Sequence, residues 1–524
     1  MKRILSFIIA FLLLSISLIS LSACESGKDE EKNIKGLKDL SGAVIGVQLG
    51  TTSDVQVSEL EKKGDGTKVE RFTKGADAIQ ALKQGKIDCI VYDEAPARAF
   101  LRTNPSLKIL PEAFDASGLA ICVAKGNKEL QAQLNQAIRT LQTSGMIDSI
   151  ITRHMDHHIA VAYTAQDASK LKQVSMAAAN HVNIAASNQA DKNIIKFATN
   201  ATFEPFEYYQ GGKIVGIDVD VAHAIGDLLG YHVEIVDMEF DAIITSVQMG
   251  KADAGIAGIT VTPEREKNID FTDAYADVRQ VIMVNNGGVI EADGPSLADK
   301  FKSCFITEHR YQYLLTGLGN TLVITFFAII LSVILGTMIA IVRATNERNG
   351  THRFLNALCQ IYLTVIRGTP TMVQLLIIYY VVFASADVNK LIVAVIAFGM
   401  NSAAYIAEVI RSGIMSVDRG QMEAGRSLGL SYSKTMRLII LPQAFKNVMP
   451  AMGNELITLL KETSISGYIG LVDLTKGSDI IRSITYEAML PLGIVAAIYL
   501  IIVMGLYQGV RMLEKHLRKT ERHN

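Results

Sequence analysis

Apolar positions are arranged in two ways along this chain. Up to about residue 300 they form short runs separated by amphipathic stretches. AVIGVQLG, VERF, KIDCIVYDEAP and GLAICVAKG are strand-like, and ADAIQALKQG is helix-like. Beyond residue 320 the apolar positions merge into runs that only a bilayer accepts. The first pattern predicts alternating strands and helices, and the second a bundle of membrane helices. Five spans are expected, at about 320–342, 361–384, 391–410, 444–463 and 488–510.

In the soluble part, GTTSD after the first strand reads as a glycine turn into a helix capped by Ser53 or Asp54. A helix at about 128–154 closes this block. Residues 156–192 are rich in Ala, Asn, Gln, Ser and His, lack apolar periodicity, and read as a linker. The strand IIKFATN opens a second block. His154, His157 and His158 cluster near the linker without a carboxylate or cysteine pattern, so no metal is expected. The expected organisation is a targeting segment at 1–24, a block at 36–155, the linker, a second block at 193–290, a connector at 291–319, a membrane domain at 320–512 and a basic tail at 513–524.

Length and charge narrow the function classes. A chain of 524 residues holds several domains, and a net charge of −1 gives no whole-protein case for nucleic acid. Met1-Lys2-Arg3, an apolar run and LSAC have the form of a secretory signal. The run could also stay as an uncleaved anchor. Leu21-Ser22-Ala23-Cys24 resembles a bacterial lipobox, which would make Cys24 a lipidation site. Either way the following residues lie outside the cytoplasm. Basic residues crowd the loops after the first span (Arg343, Arg348, Arg353) and the third (Arg411, Arg419, Arg426), and the tail. That puts the N-terminus out and the C-terminus in. Cys89 and Cys122, in strand-like runs, read as buried thiols.

NATFEPFEY, GKIVGIDVDVAHAI and VDMEFDAIITSVQMGKADAGIAGITVTPEREKNIDFTDAY, with VIGVQLGTTSD and IDCIVYDEAPA upstream, resemble the polar amino-acid solute-binding proteins. The resemblance spans nearly all of residues 36–285 and implies an α/β two-lobed periplasmic-binding-protein-like (type II) domain. The order departs from the family, in which the PFE block comes first. Here the lobe holding GVQLGTT precedes it, so the domain is expected to be circularly permuted, with new ends at a hinge between lobes and the old ends bridged by the linker. A degenerate tandem of two domains, each missing one lobe, is the alternative. The clamp would form within one chain or be swapped between two.

A free amino acid carries a carboxylate and an ammonium, each costly to bury unless paired. Arg265 can give the carboxylate two parallel bonds, helped by amides near Thr260 and Thr52. Asp93 can take the ammonium, and Gly258 can offer its carbonyl at close approach. The resemblance implies that Phe203 and Phe240 sandwich the aliphatic part. Plainer roles exist: Arg265 as a salt bridge to Glu264 or Asp270, Asp93 as a helix cap, the rings as core. Asn200 stands where many relatives have aspartate, and Gln48 where glutamine-specific relatives have lysine. Glu204 and Glu207 would balance a basic ligand or simply face solvent. A polar ligand, basic or amide-bearing, is expected.

AAYIAEVIRSGIMSVDRGQMEAGRSLGLSYSKTMRLIILPQA and IRGTPTMVQLLIIYY resemble ABC importer permeases of the histidine/glutamine group. Glu423, Ala424, Gly429, Ile440, Leu441 and Pro442 match their coupling motif, with Gly425 in place of its second alanine. Small residues at 424 and 425 would let a partner ATPase approach, with Glu423 pairing a basic residue there. The chain has no G-x-x-x-x-G-K-[ST], so the resemblance implies a separate ATPase that holds ATP and Mg, while this chain binds no cofactor and is not an enzyme. The fold expected here is an all-α five-span ABC importer transmembrane domain, and so few spans imply a homodimer. Glu408, Lys461 and Glu462 line a substrate route or bridge helices. The resulting expectation is ATP-driven uptake of a polar L-amino acid across a bacterial cell membrane. An amino-acid-gated channel is the alternative, although no TVGYG-like filter lies between spans.

Overall fold

The computed structural model describes residues 32–156, 194–286 and 296–519, apart from 385, 387 and 488. The targeting segment with Cys24, nearly all of the linker with His157 and His158, and part of the connector lie outside the described residues.

The chain first builds lobe A from β1 (Val44–Gln48), α1 (Thr52–Glu61), β2 (Lys68–Phe72), α2 (Gly75–Lys83), β3 (Cys89–Asp93), α3 (Glu94–Thr103) and β4 (Leu107–Ala113). Strand β5 (Ser117–Leu119) crosses to lobe B, where β6 (Cys122–Ala124), α4 (Lys128–Thr143) and α5 (Met146–Asp156) follow. The chain resumes in lobe B with β7 (Ile194–Thr199), β8 (Thr202–Phe203), β9 (Glu207–Gln210), β10 (Lys213–Val215), α6 (Ile217–Leu229), β11 (His232–Asp237), α7 (Ile243–Gln248), β12 (Ala254–Gly255) and β13 (Ile269–Phe271). It returns through β14 (Ala276–Val278) and ends this half in lobe A with β15 (Gln280–Asn285).

Each lobe is a five-stranded sheet, ordered β2-β1-β3-β15-β4 in lobe A and β11-β7-β12-β6-β13 in lobe B. Strands β5 and β14 pair antiparallel as the crossing between them. Both lobes therefore draw strands from both sequence blocks, and the described residues form one complete two-lobed clamp in a single chain. The permutation differs from expectation in one respect: the new ends are not at the hinge. Strand β15 lies beyond the hinge strand and fills the slot between β3 and β4. Its side chains from Gln280 to Val284 are all buried, as a strand covered on both faces requires. The break thus falls inside lobe A.

Local signals account for most elements. Helix α4 buries Leu134, Ala137, Ile138 and Leu141, a stripe at spacings of three and four. Helix α1 is capped by Thr51, whose hydroxyl accepts from the Asp54 amide, rather than by Ser53 or Asp54. A cap must precede the first free amides of the helix. Asp54 instead accepts from the Gly50 amide and pairs with Arg71. His154, at the end of α5, is buried and bonds Asp220 of α6 at 2.9 Å, which fixes the closing helix to lobe B.

The remainder is helical: α8 (Tyr311–Asn349), α9 (Arg353–Gly368), α10 (Thr371–Ile377), α11 (Lys390–Met415), α12 (Arg419–Ser427), α13 (Leu441–Glu462), α14 (Leu474–Thr485) and α15 (Met489–Lys519). Helices α8, α11 and α15 are long and apolar enough to cross a membrane. The expected second span is a pair, Arg353–Gly368 and Thr371–Val382, bent by 111°. Pro370 lies at the break, where it cannot donate to the preceding turn. The Gln374 side chain bonds the carbonyls of Ile366 and Thr369 left open there. Helix α13 occupies the expected fourth position, but Lys446, Glu455, Lys461 and Glu462 keep it from matching the other three in apolarity.

The Asp220–His154 bond yields a stability prediction. Asp220→Ala strands a buried imidazole and should cost about 2–4 kcal/mol. Urea unfolding of the detergent-solubilised chain should show a lower first midpoint. An unchanged midpoint would mean that α5 is held by apolar packing alone.

Candidate functional site

The cleft between the lobes is lined by Gln48, Thr51, Thr52 and Asp93 from lobe A, and by Asn200, Phe203, Glu207, Phe240, Ala257 and Gly258 from lobe B. It is closed to a volume of about 10 Å³, roughly the room of one water.

The buried run of β3 ends at Asp93, immediately before α3. Its side chain makes no capping bond to that helix. Instead Oδ1 accepts from Gln280 Nε2 at 2.7 Å. Burial pushes the Asp93 carboxyl up to about 6, against the opposing pull of Gln280 and Arg265. Arg265 sits in a short helical turn, Pro263–Glu266, capped by the Thr262 hydroxyl. Its guanidinium is buried and donates to the Thr260 carbonyl at 2.7 Å and, across the cleft, to the Gly50 carbonyl at 2.6 Å. It lies 5.6 Å over the Phe240 ring. The expected alternative of an Arg265–Asp270 bridge does not hold, because Asp270 is taken by Lys125 and Lys128.

The other expected residues divide into wall and scaffold. Phe203 stacks on Phe206 and meets Tyr92 of lobe A edge-on, with ring centres 5.6 Å apart in both pairs. Gly258 has φ of +54°, and a Cβ there would stand 2.9 Å from the Phe203 ring, so both backbone and space call for glycine. Asn200 is occupied within its own lobe, donating to the Met238 carbonyl and accepting from the Thr202 hydroxyl. Gln48 accepts from the Tyr92 hydroxyl at 2.7 Å. Glu204 and Glu207, grouped in the sequence, point to different places. Glu204 pairs with Arg102 across the lobe seam. Glu207 is fully buried in the cleft wall and does not face solvent. Its burial, and the lining roles of Thr51 and Ala257, carry no signal in local sequence pattern.

Helix α14 lies against both lobes. Lys476, 3% exposed, reaches Glu239 at 3.1 Å and Asp237 at 3.4 Å in lobe B. Those carboxylates outweigh the effect of burial and hold its ammonium above the usual lysine range. Asp479 pairs with Lys74, and Arg482 with Asp77, both in lobe A. Tyr486 packs its ring on Phe100 of lobe A and donates to Glu204 of lobe B. A cavity of about 160 Å³ lies between this surface and the cleft, with Phe240 and Leu49 on its lobe side and Tyr468 and Lys476 on the helical side. Three charges spaced by three residues in 476–482 put one charged face on a helix, a signal the sequence does carry.

At the opposite end, α12 holds Glu423, Ala424 and Gly425, the residues expected to couple to an ATPase. Glu423 and Ala424 are exposed. Gly425 is buried against its own chain, where a Cβ would meet Thr435 at 2.5 Å. The expectation that Gly425 faces a partner is therefore corrected: it lets α12 close onto Thr435. Leu428, 82% exposed, and Gly429, with φ of +84°, end the helix. Glu408 bonds Arg343 of α8 at 3.0 Å and pairs with Arg411, which bridges helices. Lys461 is exposed and Glu462 half-buried at the end of α13.

The family model for bacterial extracellular solute-binding proteins, family 3, matches residues 195–466. The arginine transport system permease protein ArtQ of Bacillus subtilis is 37% identical over 214 residues, 40% of this chain and 95% of that protein. The putative glutamine transport system permease protein GlnP of Rickettsia bellii is 35% identical over 210 residues, 40% of this chain and 94% of its own. A solved amino acid ABC transporter with histidines shares 39% identity, covering 40% of this chain and 98% of that one, at a TM-score of 0.38. The chain belongs to the bacterial extracellular solute-binding proteins of family 3, here joined in one polypeptide to a permease of the amino-acid ABC transporters.

Proposed function

We propose that this chain is both receptor and membrane half of an ATP-driven importer for a polar amino acid. The observation that carries the reading is the opposition of two charges in one cleft, the half-buried Asp93 on lobe A and the buried Arg265 on lobe B. A zwitterion brings the matching pair, and each charge is costly to bury without its partner. Arg265 would exchange its carbonyl partners for the ligand carboxylate, Asp93 would take the ammonium, and Phe203 with Phe240 would hold the stem. Gly258, Thr260 and Thr52 supply backbone groups beside them.

Hand-over follows from the contacts of α14. The clamp rests on the membrane helices with both lobes engaged, and the cavity beyond Phe240 offers the ligand a way inward. On the far side Glu423, Ala424 and Leu428 would enter a groove on a separate ATPase that holds ATP and Mg. Two copies of the chain, each with five spans counting the bent pair and α13, would enclose the path, with the clamp outside a bacterial cell and the C-terminus within. The relatives named for arginine and glutamine transport fit a polar substrate.

Melting of the purified full chain against each of the twenty amino acids tests the receptor role. A true ligand raises the melting temperature, because it binds the folded state. Asp93→Ala and Arg265→Ala should each weaken binding at least thirty-fold, about 2 kcal/mol or more, while the chain still folds. No shift from any amino acid would refute the reading.

Affinity should also fall by up to about tenfold per pH unit below pH 6, where Asp93 gains its proton and can no longer pair an ammonium. Asp93→Asn should bind weakly and without that pH slope.

The docking face gives a third test, in vesicles with the ATPase. Arg482→Glu should lower ligand-stimulated ATP hydrolysis severalfold, and Arg482→Glu combined with Asp77→Arg should restore much of it. Failure of the double variant to recover would remove the pair from the coupling route.

A further inference from the structure

Glu207 differs from every other group in the cleft. Strand β9 carries it into the wall beside Phe203 and Gly258, with 0% of its surface exposed. Among the described residues no N–H or hydroxyl donor reaches either carboxyl oxygen, and the acid's own proton is shared with Asp218. The ionisable groups facing it are Asp218 from α6, Asp237 from the end of β11 and Asp93 across the cleft, together with the phenols of Tyr92 and Tyr275. Asp218 has its own donors, the Gly258 amide at 2.7 Å and the Tyr275 hydroxyl at 2.8 Å. An unpaired carboxylate in such a place costs several kcal/mol, so the group that keeps a proton here is Glu207. Burial, reinforced by the neighbouring acids, pushes its carboxyl well above the usual range.

With Glu207 protonated the cleft balances a plain zwitterion and holds one further acid able to ionise. Among the described residues that line or cross the cleft, Arg265 is the cation and Asp93 its counterpart. A zwitterion adds one charge of each sign and leaves that pairing complete. Glu207 is then a further acid on the ligand-facing wall, its proton shared with the Asp218 carboxylate and, among the described residues, no cation beside it. Asn200, the other polar tip nearby, is engaged at both ends of its amide.

We propose that Glu207 sets the substrate class: the cleft takes a cationic amino acid, whose guanidinium or terminal ammonium lies on the Glu207 carboxylate and displaces its proton. The proposal rests on the amino-acid reading above and names the substrate within it. The step is an exchange of charge: the O–H proton of Glu207 passes to solvent as the ligand cation enters, and no other covalent bond changes. A neutral amide leaves the proton in place and gains only a neutral hydrogen bond, weaker than a charge-assisted one. An acidic side chain would face Glu207, Asp218 and Asp93 together and be repelled.

Proton release gives a readout that packing alone would not move. The full chain is titrated calorimetrically with L-arginine, L-lysine and L-glutamine at pH 7.5, in two buffers of different ionisation enthalpy. At that pH Asp93 is already ionised, so its titration does not contribute. Arginine or lysine should bind at least tenfold tighter than glutamine and release about one proton, whereas glutamine should release close to none. Glu207→Gln should erase both the preference for the cation and the proton release. Equal affinity for arginine and glutamine, or cation binding without proton release, would overturn the proposal. The proton count in the unaltered chain decides the matter even where Glu207→Gln fails to fold. A chain that binds neutral amino acids and not cations refutes this inference alone, and one that binds no amino acid removes the uptake reading with it.

Discussion

A guanidinium and a carboxylate kept apart across a closing cleft set the terms for this structure. Neither Arg265 nor Asp93 is stable in a dry pocket by itself, so each is held by local groups: Arg265 by the carbonyls of Thr260 and Gly50, Asp93 by the side chain of Gln280. One of the Arg265 bonds crosses between lobes, so the charge that would grip a carboxylate also ties the lobes together. The aromatic contact of Tyr92 with Phe203 spans the same seam. Closure and charge compensation are therefore one event: parting the lobes would break the Gly50 bond and hydrate both ions.

This constraint explains why a rearranged chain order is tolerated. What the site needs is two lobes with their own sheets and two crossings between them, supplied by β5 and β14. Which end of the chain arrives first is immaterial to the cleft, provided β15 still enters the middle of the lobe A sheet. That strand pairs with β3 at Gln280 and Asp93, so it places both the cleft acid and the amide that holds it. Hydrogen bonds in the ladder, rather than sequence order, position the acid.

Much of this was legible beforehand, for identifiable reasons. Residues that residue type and place in a motif single out, such as Asp93, Phe203, Phe240 and Gly258, come together in one cleft because strand ends and tight turns fix them locally. The break in the permuted order lies inside lobe A and not at the expected hinge, because a buried strand such as VIMV shows its burial but not which sheet receives it. Gly425, expected at a partner's groove, packs on Thr435 instead; a small residue signals close approach without saying to what. Glu204 and Glu207 were indistinguishable in the sequence. One pairs across the seam and the other is buried, a difference set by the turn between β8 and β9 and the surfaces that meet there.

The contacts of α14 give the fusion a physical purpose. Its charges are divided between the lobes, Lys476 for lobe B and Asp479 with Arg482 for lobe A, and Tyr486 touches both. A rigid helix can satisfy all of these partners only when the lobes stand at one separation. The surface therefore favours a single state of the clamp, and by reciprocity the docked helix stabilises that state as much as closure strengthens docking. A free receptor would reach these charged contacts only through a bimolecular encounter that salt slows. Tethered in one chain, the receptor meets its permease at high effective concentration, so these contacts need not recruit it from solution.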